Sequence, residues 1–153
     1  MSSPSKVTMY VDGSSRGNPG PAGIGIVIFA DDDEIHPIEE ISKYIGITTN
    51  NVAEYEAIIH ALKWIIANDA AHATIKLDSE LAYKQITGTY RIKSPRIAPQ
   101  LKRINTLKNQ IKDVLLVQIP RTGNKLANRL AQRASKKVQV KHHKFDQQQL
   151  LEQ

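Results

Sequence analysis

The order of hydrophobic patterns along this 153-residue chain predicts an α/β fold, a five-stranded mixed β-sheet flanked by α-helices on both faces. Two observations carry the prediction. Three strand-like segments open the chain before any helical pattern, which suits a hairpin followed by a meander. After them helices and strands alternate, and the connections from 12 to 73 and from 78 to 114 are long enough for parallel crossovers. The length is that of one domain able to bury a core, and no internal repeat is visible.

The first strand is read in "KVTMYVDG" (6–13), where Val7, Met9 and Val11 alternate with Thr8 and Tyr10 and the pattern ends at Asp12. "SSRGNPGPAG" (14–23) has turn chemistry throughout. "IGIVIFA" (24–30) is a mostly apolar run, expected to be buried on two sides, and residues 35–46 form a less distinct third strand. The clearest helix spans 48–69, with Thr49 or Asn50 as its cap. Tyr55, Ile58, Ile59, Leu62, Ile65 and Ile66 make its apolar stripe. At about 100° per residue, Glu54 falls at the edge of that stripe, whereas Glu56 turns towards solvent. "ATIKLD" (73–78) is a fourth strand ending in Asp78, and a short helix follows over 79–86 until Gly88. Pro95 and Pro99 bracket the start of a helix over about 96–112. A fifth strand covers 114–120, and a last helix covers 122–137 with Leu126, Leu130 and Ala134 inward. The expected organisation is a flexible N-terminus (1–5), one domain (6–138) and a polar, Gln-rich tail (139–153) expected to be mobile.

Composition narrows the function classes. There is no cysteine, which excludes a disulfide framework, a thiolate metal site and a cysteine nucleophile, and fits a reducing compartment. No apolar run approaches the ~20 residues of a membrane span. "MSSPSK" lacks the apolar region of a secretory signal, so the expectation is a cytoplasmic protein with no membrane partner. The net charge of +6 is unevenly spread. Residues 1–83 hold 5 Lys+Arg against 12 Asp+Glu, and residues 84–153 hold 16 against 3. A basic half points to a polyanion such as nucleic acid, although a solvated basic surface has the same composition.

Three acids stand where chemistry could converge. Asp12 closes the first strand, Asp78 closes the fourth, and Glu54 lies in the first turns of the long helix. If the two strands are adjacent and parallel, both aspartates emerge at one sheet edge, where α/β sheets place ligands. Clustered carboxylates repel unless a cation joins them, and hard oxygen donors suit Mg²⁺ or Mn²⁺. Each acid also has a purely structural reading. Asp12 can serve a turn, Asp78 can cap a helix, and Glu54 is favoured near a helix N-terminus by the macrodipole.

Four ordered segments decide between these readings: "YVDGSSRGNPGPAGIGIVI", "TTNNVAEYEAI", "IKLDSELAYKQI" and "PRTGNKLANRLAQRA". Together, over about residues 6–137, they resemble the type 1 ribonuclease H family. The resemblance implies a ribonuclease H-like fold and an endonuclease that cuts the RNA strand of RNA–DNA hybrids, using two Mg²⁺ or Mn²⁺ ions per site. It assigns Asp12, Glu54 and Asp78 to the first three metal-binding carboxylates. The fourth belongs four residues after an asparagine matched by Asn124, so Asn128 stands where an acid is expected. An amide can still coordinate a cation or hold a metal-bound water, but brings no charge. The implied enzyme is therefore attenuated, with one metal held more weakly.

Other departures concern histidine and the basic handle. Many family members carry a histidine before the last helix, whereas here "PRTGN" puts Arg121 near that place. Arg121 can bind phosphate but cannot shuttle protons near neutral pH. His142 and His143 lie in the tail, and His36, His60 and His72 read as structural or surface residues. The Trp-rich handle of some bacterial relatives is replaced by "GTYRIKSPRIAPQLKR" (88–103), which supplies Arg91, Lys93, Arg96, Lys102 and Arg103 for phosphates. Trp64 reads as packing. Asn50 and Asn51 match a pair that contacts the hybrid's minor groove, where 2′-hydroxyls distinguish RNA. Gly13, Ser14, Ser15 and Asn18 line the expected loop after Asp12, Thr49 matches a position near a DNA-strand phosphate, and Asn124 completes the expected substrate-binding set. The protein is expected to act as a monomer. Competing readings are a hybrid-binding module that has lost catalysis, and a nuclease of the same broad fold acting on DNA or structured RNA.

Overall fold

The computed structural model describes residues 4–88 and 95–136. Expectations for Arg91, Lys93, His142, His143 and the tail lie outside the described residues.

Five strands form one sheet: β1 (Lys6–Ser15), β2 (Gly20–Ala30), β3 (Glu39–Thr48), β4 (His72–Leu77) and β5 (Asp113–Gln118), in the order β3-β2-β1-β4-β5. β1–β2 and β2–β3 pair antiparallel, and β1–β4 and β4–β5 pair parallel. The predicted mixed sheet is therefore present. Four helices accompany it: α1 (Asn50–Ala67), α2 (Glu80–Ile86), α3 (Ala98–Lys108) and α4 (125–136), the last preceded by a 3₁₀ turn at Arg121–Gly123.

Alternation along the strands separates two apolar layers. Val7, Met9 and Val11 of β1 and Ile24, Ile26 and Ile28 of β2 face Tyr55, Ile58, Ile59, Leu62 and Ile65 of α1. Burying each such side chain contributes about 1.5–3 kcal/mol before the entropy of ordering it. Trp64 packs against this core, as its apolar neighbours predict. On the opposite face, Val27 and Phe29 meet Ala127 and Leu130 of α4, with Tyr10 packed alongside.

Several local expectations are corrected. β1 does not end at Asp12 but continues to Ser15, because the antiparallel ladder with β2 runs on to Ser15↔Ala22. The turn therefore shrinks to residues 16–19, and Asp12 sits within a strand. β3 begins at Glu39 and β5 ends at Gln118, and α3 is shorter than the expected 96–112. The cap of α1 is Thr49, whose Oγ1 accepts from Val52 N at 3.2 Å, and Asn50 is the first helical residue. Ile66 is only half-buried. Leu126 is not inward: it is 38% exposed, while Ala127 and Ala131 are fully buried. The close fit of α4 to β2 runs through two glycines. A Cβ on Gly25 would stand 2.1 Å from Ala127 O, and one on Gly23 would stand 2.6 Å from Ala131 O. α4 rests on this bare backbone with Ala127, Leu130, Ala131 and Ala134 as its buried side, and Leu126 lies about 90° from the centre of that side, at its margin.

Candidate active site

The parallel register of β1 and β4 builds the site. Tyr10 lies opposite Lys76, and two places further that register sets Asp12 against Asp78, just past the end of β4. α1 supplies the third acid through a close contact with β1. A Cβ on Gly13 would meet Ala53 C at 2.2 Å and Glu54 N at 2.4 Å, so only glycine lets the first turn of α1 lie this close to the strand. Asp12, Glu54 and Asp78 each thereby offer an oxygen within 4.8 Å of the others'. A cleft of about 10 Å³ lies between them, walled also by Val11, Leu77 and Ser79, with room for about one water-sized guest.

Two asparagines of the last motif close the site. The Asn124 amide, 1% exposed, donates to Val11 O at 2.8 Å and to Asp78 Oδ2 at 3.1 Å. It thus ties the last helix to β1 and orients Asp78 at once. One turn on, Asn128 Nδ2 donates to Asp12 Oδ2 at 2.6 Å. Asn128 therefore lies at the carboxylate cluster, as its sequence position suggests, and acts there as a donor. Arg121 is exposed, and its guanidinium lowers the proton affinity of both Asp12 and Glu54.

The electrostatics follow from burial. Desolvation pushes Asp12 up to about 6, reinforced by the neighbouring Asp78 and opposed by the Asn128 amide and the Gly13 N–H. Glu54 rises to about 7, again chiefly by burial, then by Asp12 and Asp78, and is held down by a hydrogen bond from Ser79. Ser79 has two roles. Its hydroxyl oxygen does cap α2, accepting from Ala82 N at 3.1 Å, while it also holds Glu54. The spacing of two side chains on different elements gave no signal of that contact.

Clustered hard oxygens fit a divalent cation, which would relieve the desolvation of Asp12 and Glu54 and the repulsion within the cluster together. Asp12, Glu54 and Asp78 would hold it directly. Asn128 could join only by presenting its carbonyl oxygen in place of the amide that now faces Asp12.

The loop residues form a separate network beside the acids. Asn50 Oδ1 accepts from Ser15 N at 2.7 Å and from Ser15 Oγ at 3.2 Å, and Asn50 N donates to Asn18 Oδ1 at 3.0 Å. The β1–β2 turn is thereby pinned to the start of α1. Asn51 is half-buried, with its Oδ1 shielded and without a partner, and Ser14 lies half-buried opposite Gly23. The side of Gly13 on which a Cβ would stand is filled by the backbone of α1. The histidines among the described residues are engaged elsewhere: His36 with Asp33, His60 with Glu56 and His72 with Asp113.

Comparison with known proteins places this geometry. The reverse transcriptase-like family matches residues 10–134. A bifunctional protein of Mycobacterium tuberculosis is 36% identical over 126 residues, covering 82% of this chain and 34% of the relative. Ribonuclease HI of Halobacterium salinarum is 39% identical over 131 residues, or 84% of this chain and 64% of the relative. The chain thus spans about a third of the first relative's length and just under two thirds of the second's. Among solved structures, the ribonuclease H1 of Halobacterium salinarum superposes with a TM-score of 0.80 at 36% identity, covering 84% of this chain and 96% of that one. The ribonuclease H1 LC11, from compost, solved with an RNA/DNA hybrid, gives 0.78 at 39% identity, covering 86% and 98%.

Proposed function

Since this chain belongs to the reverse transcriptase-like family, in its ribonuclease HI-like branch, we propose that it is an endoribonuclease hydrolysing the RNA strand of RNA–DNA hybrids. The observation that carries the reading is the convergence of Asp12, Glu54 and Asp78 within 4.8 Å beside the end of β4. Two divalent ions, Mg²⁺ or Mn²⁺, would supply an activated water and charge stabilisation at the leaving oxygen.

The chain's own residues do the rest. Asp12, Glu54 and Asp78 hold negative charge where a cation would be bound. Asn124 keeps Asp78 turned inward, Ser79 keeps Glu54 in place, and Asn128 fixes one oxygen of Asp12. The Arg121 guanidinium offers a fork of donors to a phosphate beside the acids. Asn50 and Asn51, at the start of α1, offer amides to minor-groove 2′-hydroxyls, with Ser15 and Asn18 bracing Asn50. Thr49 and Ser14 complete the proposed substrate face, and Gly13 serves it by seating α1. With an amide at position 128 the site carries three formal negatives at most, so attenuated cleavage is the expectation. The hydrolytic unit is the domain over 6–138, acting as a monomer, and a cysteine-free chain suits a reducing cytoplasm.

The test is cleavage of a labelled RNA–DNA hybrid, with double-stranded DNA and double-stranded RNA as controls, in Mg²⁺ and in Mn²⁺. Cleavage of the hybrid's RNA strand alone, abolished by Asp12→Asn, is expected. Tight hybrid binding with no cut in either metal would overturn the nuclease reading.

A further inference from the structure

From the end of β5 onwards, cations recur every four residues: Arg121, Lys125, Arg129 and Arg133, with Lys136 three further on. All five are exposed, and no acid occurs between 114 and 136. At about 100° per residue, the four on α4 fall within roughly 80° of one another, on the solvent side. Asn128 lies about 60° from Lys125, so the ridge flanks the side of α4 that reaches Asp12.

None of these five cations makes an ion pair among the described residues, whereas Lys6, Lys76 and Lys84 each do. Within α4 the arrangement is unfavourable. Lys125/Arg129 and Arg129/Arg133 are like-charge pairs at the spacing that repels, and Lys125 sits in the first turn, where the macrodipole disfavours a cation. A merely solvated helix face mixes signs, and this one does not. Packing does not demand the cations either, because the buried side of α4 is supplied by Ala127, Leu130, Ala131 and Ala134.

We infer that the exposed ridge of α4 is a second phosphate-binding surface, which grips the nucleic-acid backbone beyond the segment held at the carboxylate site. The inference rests on the hybrid-cleaving reading for its substrate and goes past it in assigning these residues. Arg121 joins the two surfaces, since it already bears electrostatically on Asp12 and Glu54. From Lys125 to Lys136 the helix rises roughly 17 Å. That matches the axial rise of about five nucleotides at 3.4 Å each. The ridge therefore lengthens the footprint by about five base pairs and reads charge alone.

The test compares wild type with a quadruple Lys125→Gln, Arg129→Gln, Arg133→Gln, Lys136→Gln variant. Binding is measured by fluorescence anisotropy in EDTA against a hybrid of about eight base pairs, and against the same hybrid extended by about eight at either end. Each phosphate contact contributes about 0.7–0.9 to the slope of log affinity on log salt. The variant should therefore bind a hybrid extended at one end with a slope shallower by about three, and bind the short hybrid as wild type does. Lys125→Arg, Arg129→Lys, Arg133→Lys, Lys136→Arg, which keeps the charges, should restore the slope. Unchanged slopes on both extended hybrids would overturn the inference. So would an equal loss on the short hybrid, which would place the ridge against the cut segment. Failure of the nuclease reading is seen separately, as absence of cleavage of any hybrid by wild type in Mg²⁺ or Mn²⁺.

Discussion

Replacing Asn128 by aspartate should make the metal-free protein less stable and the metal-loaded protein more active. Asn128 Nδ2 donates to Asp12 Oδ2 at 2.6 Å, a short bond to a buried carboxylate. Losing a hydrogen bond to a charged group costs about 1.5–3 kcal/mol. The new carboxylate adds repulsion, or takes up a proton to avoid it, so a total of about 2–4 kcal/mol is expected. For a domain of this size each kcal/mol moves Tm by about 2–4 °C. In EDTA, Asn128→Asp should therefore melt roughly 5–15 °C below wild type. Mg²⁺ should recover more of that loss than it adds to wild type, because metal at 100 times Kd stabilises by about 2.7 kcal/mol and the fourth charge lowers Kd. Calorimetry in EDTA and over a Mg²⁺ series reads both quantities, and hybrid cleavage at limiting Mg²⁺ should rise. Identical melting in EDTA together with identical Mg²⁺ increments would show that residue 128 does not sense the ions, and equal rates across the metal series would sink the activity claim.

The metal-free protein should also lose stability as pH rises from about 4 to about 7. Asp12 and Glu54 are raised to about 6 and about 7, so the folded state binds more protons than the unfolded one across that window, and their contribution is complete only below their ordinary values of 3.8 and 4.5. Asp12→Asn should flatten the urea-derived stability profile by about 3 kcal/mol over that range, and an unchanged profile would contradict the burial argument. Gly25→Ala should lift α4 from β2, since its Cβ would stand 2.1 Å from Ala127 O. A loss of about 1–3 kcal/mol in urea unfolding, with a fall in hybrid cleavage as Asn128 leaves Asp12, is expected, and wild-type values for both would contradict it.

Local pattern placed the three acids, and the resemblance of the four ordered segments to the type 1 ribonuclease H family gave them their role. Strand alternation placed Asp12 and Asp78, helical periodicity placed Glu54, and a parallel β1–β4 pair was the one long-range assumption. Partners reached across the fold were not legible. Nothing in the spacing shows that Asn124 donates to Val11 O, or that the Ser79 hydroxyl holds Glu54. Those contacts depend on how α4 and α2 settle against strands distant in sequence. Leu126 misled for the same reason. Its apolar character said inward, but the face of α4 that settles on β2 is centred on Ala127, Leu130, Ala131 and Ala134, which leaves Leu126 about 90° round the helix. β3 was indistinct because it lies at the sheet's edge with several exposed positions, so its alternation is diluted.

Gly13 beneath α1, and Gly23 and Gly25 beneath α4, mean that Glu54 and Asn128 are carried by helices touching the sheet main chain to main chain. No rotamer stands between scaffold and chemistry at those points. One added methyl group at any of these three glycines would push against helix backbone or a buried alanine and shift a whole helix. The spacing of the acids is thus set in part at positions that carry no side chain at all.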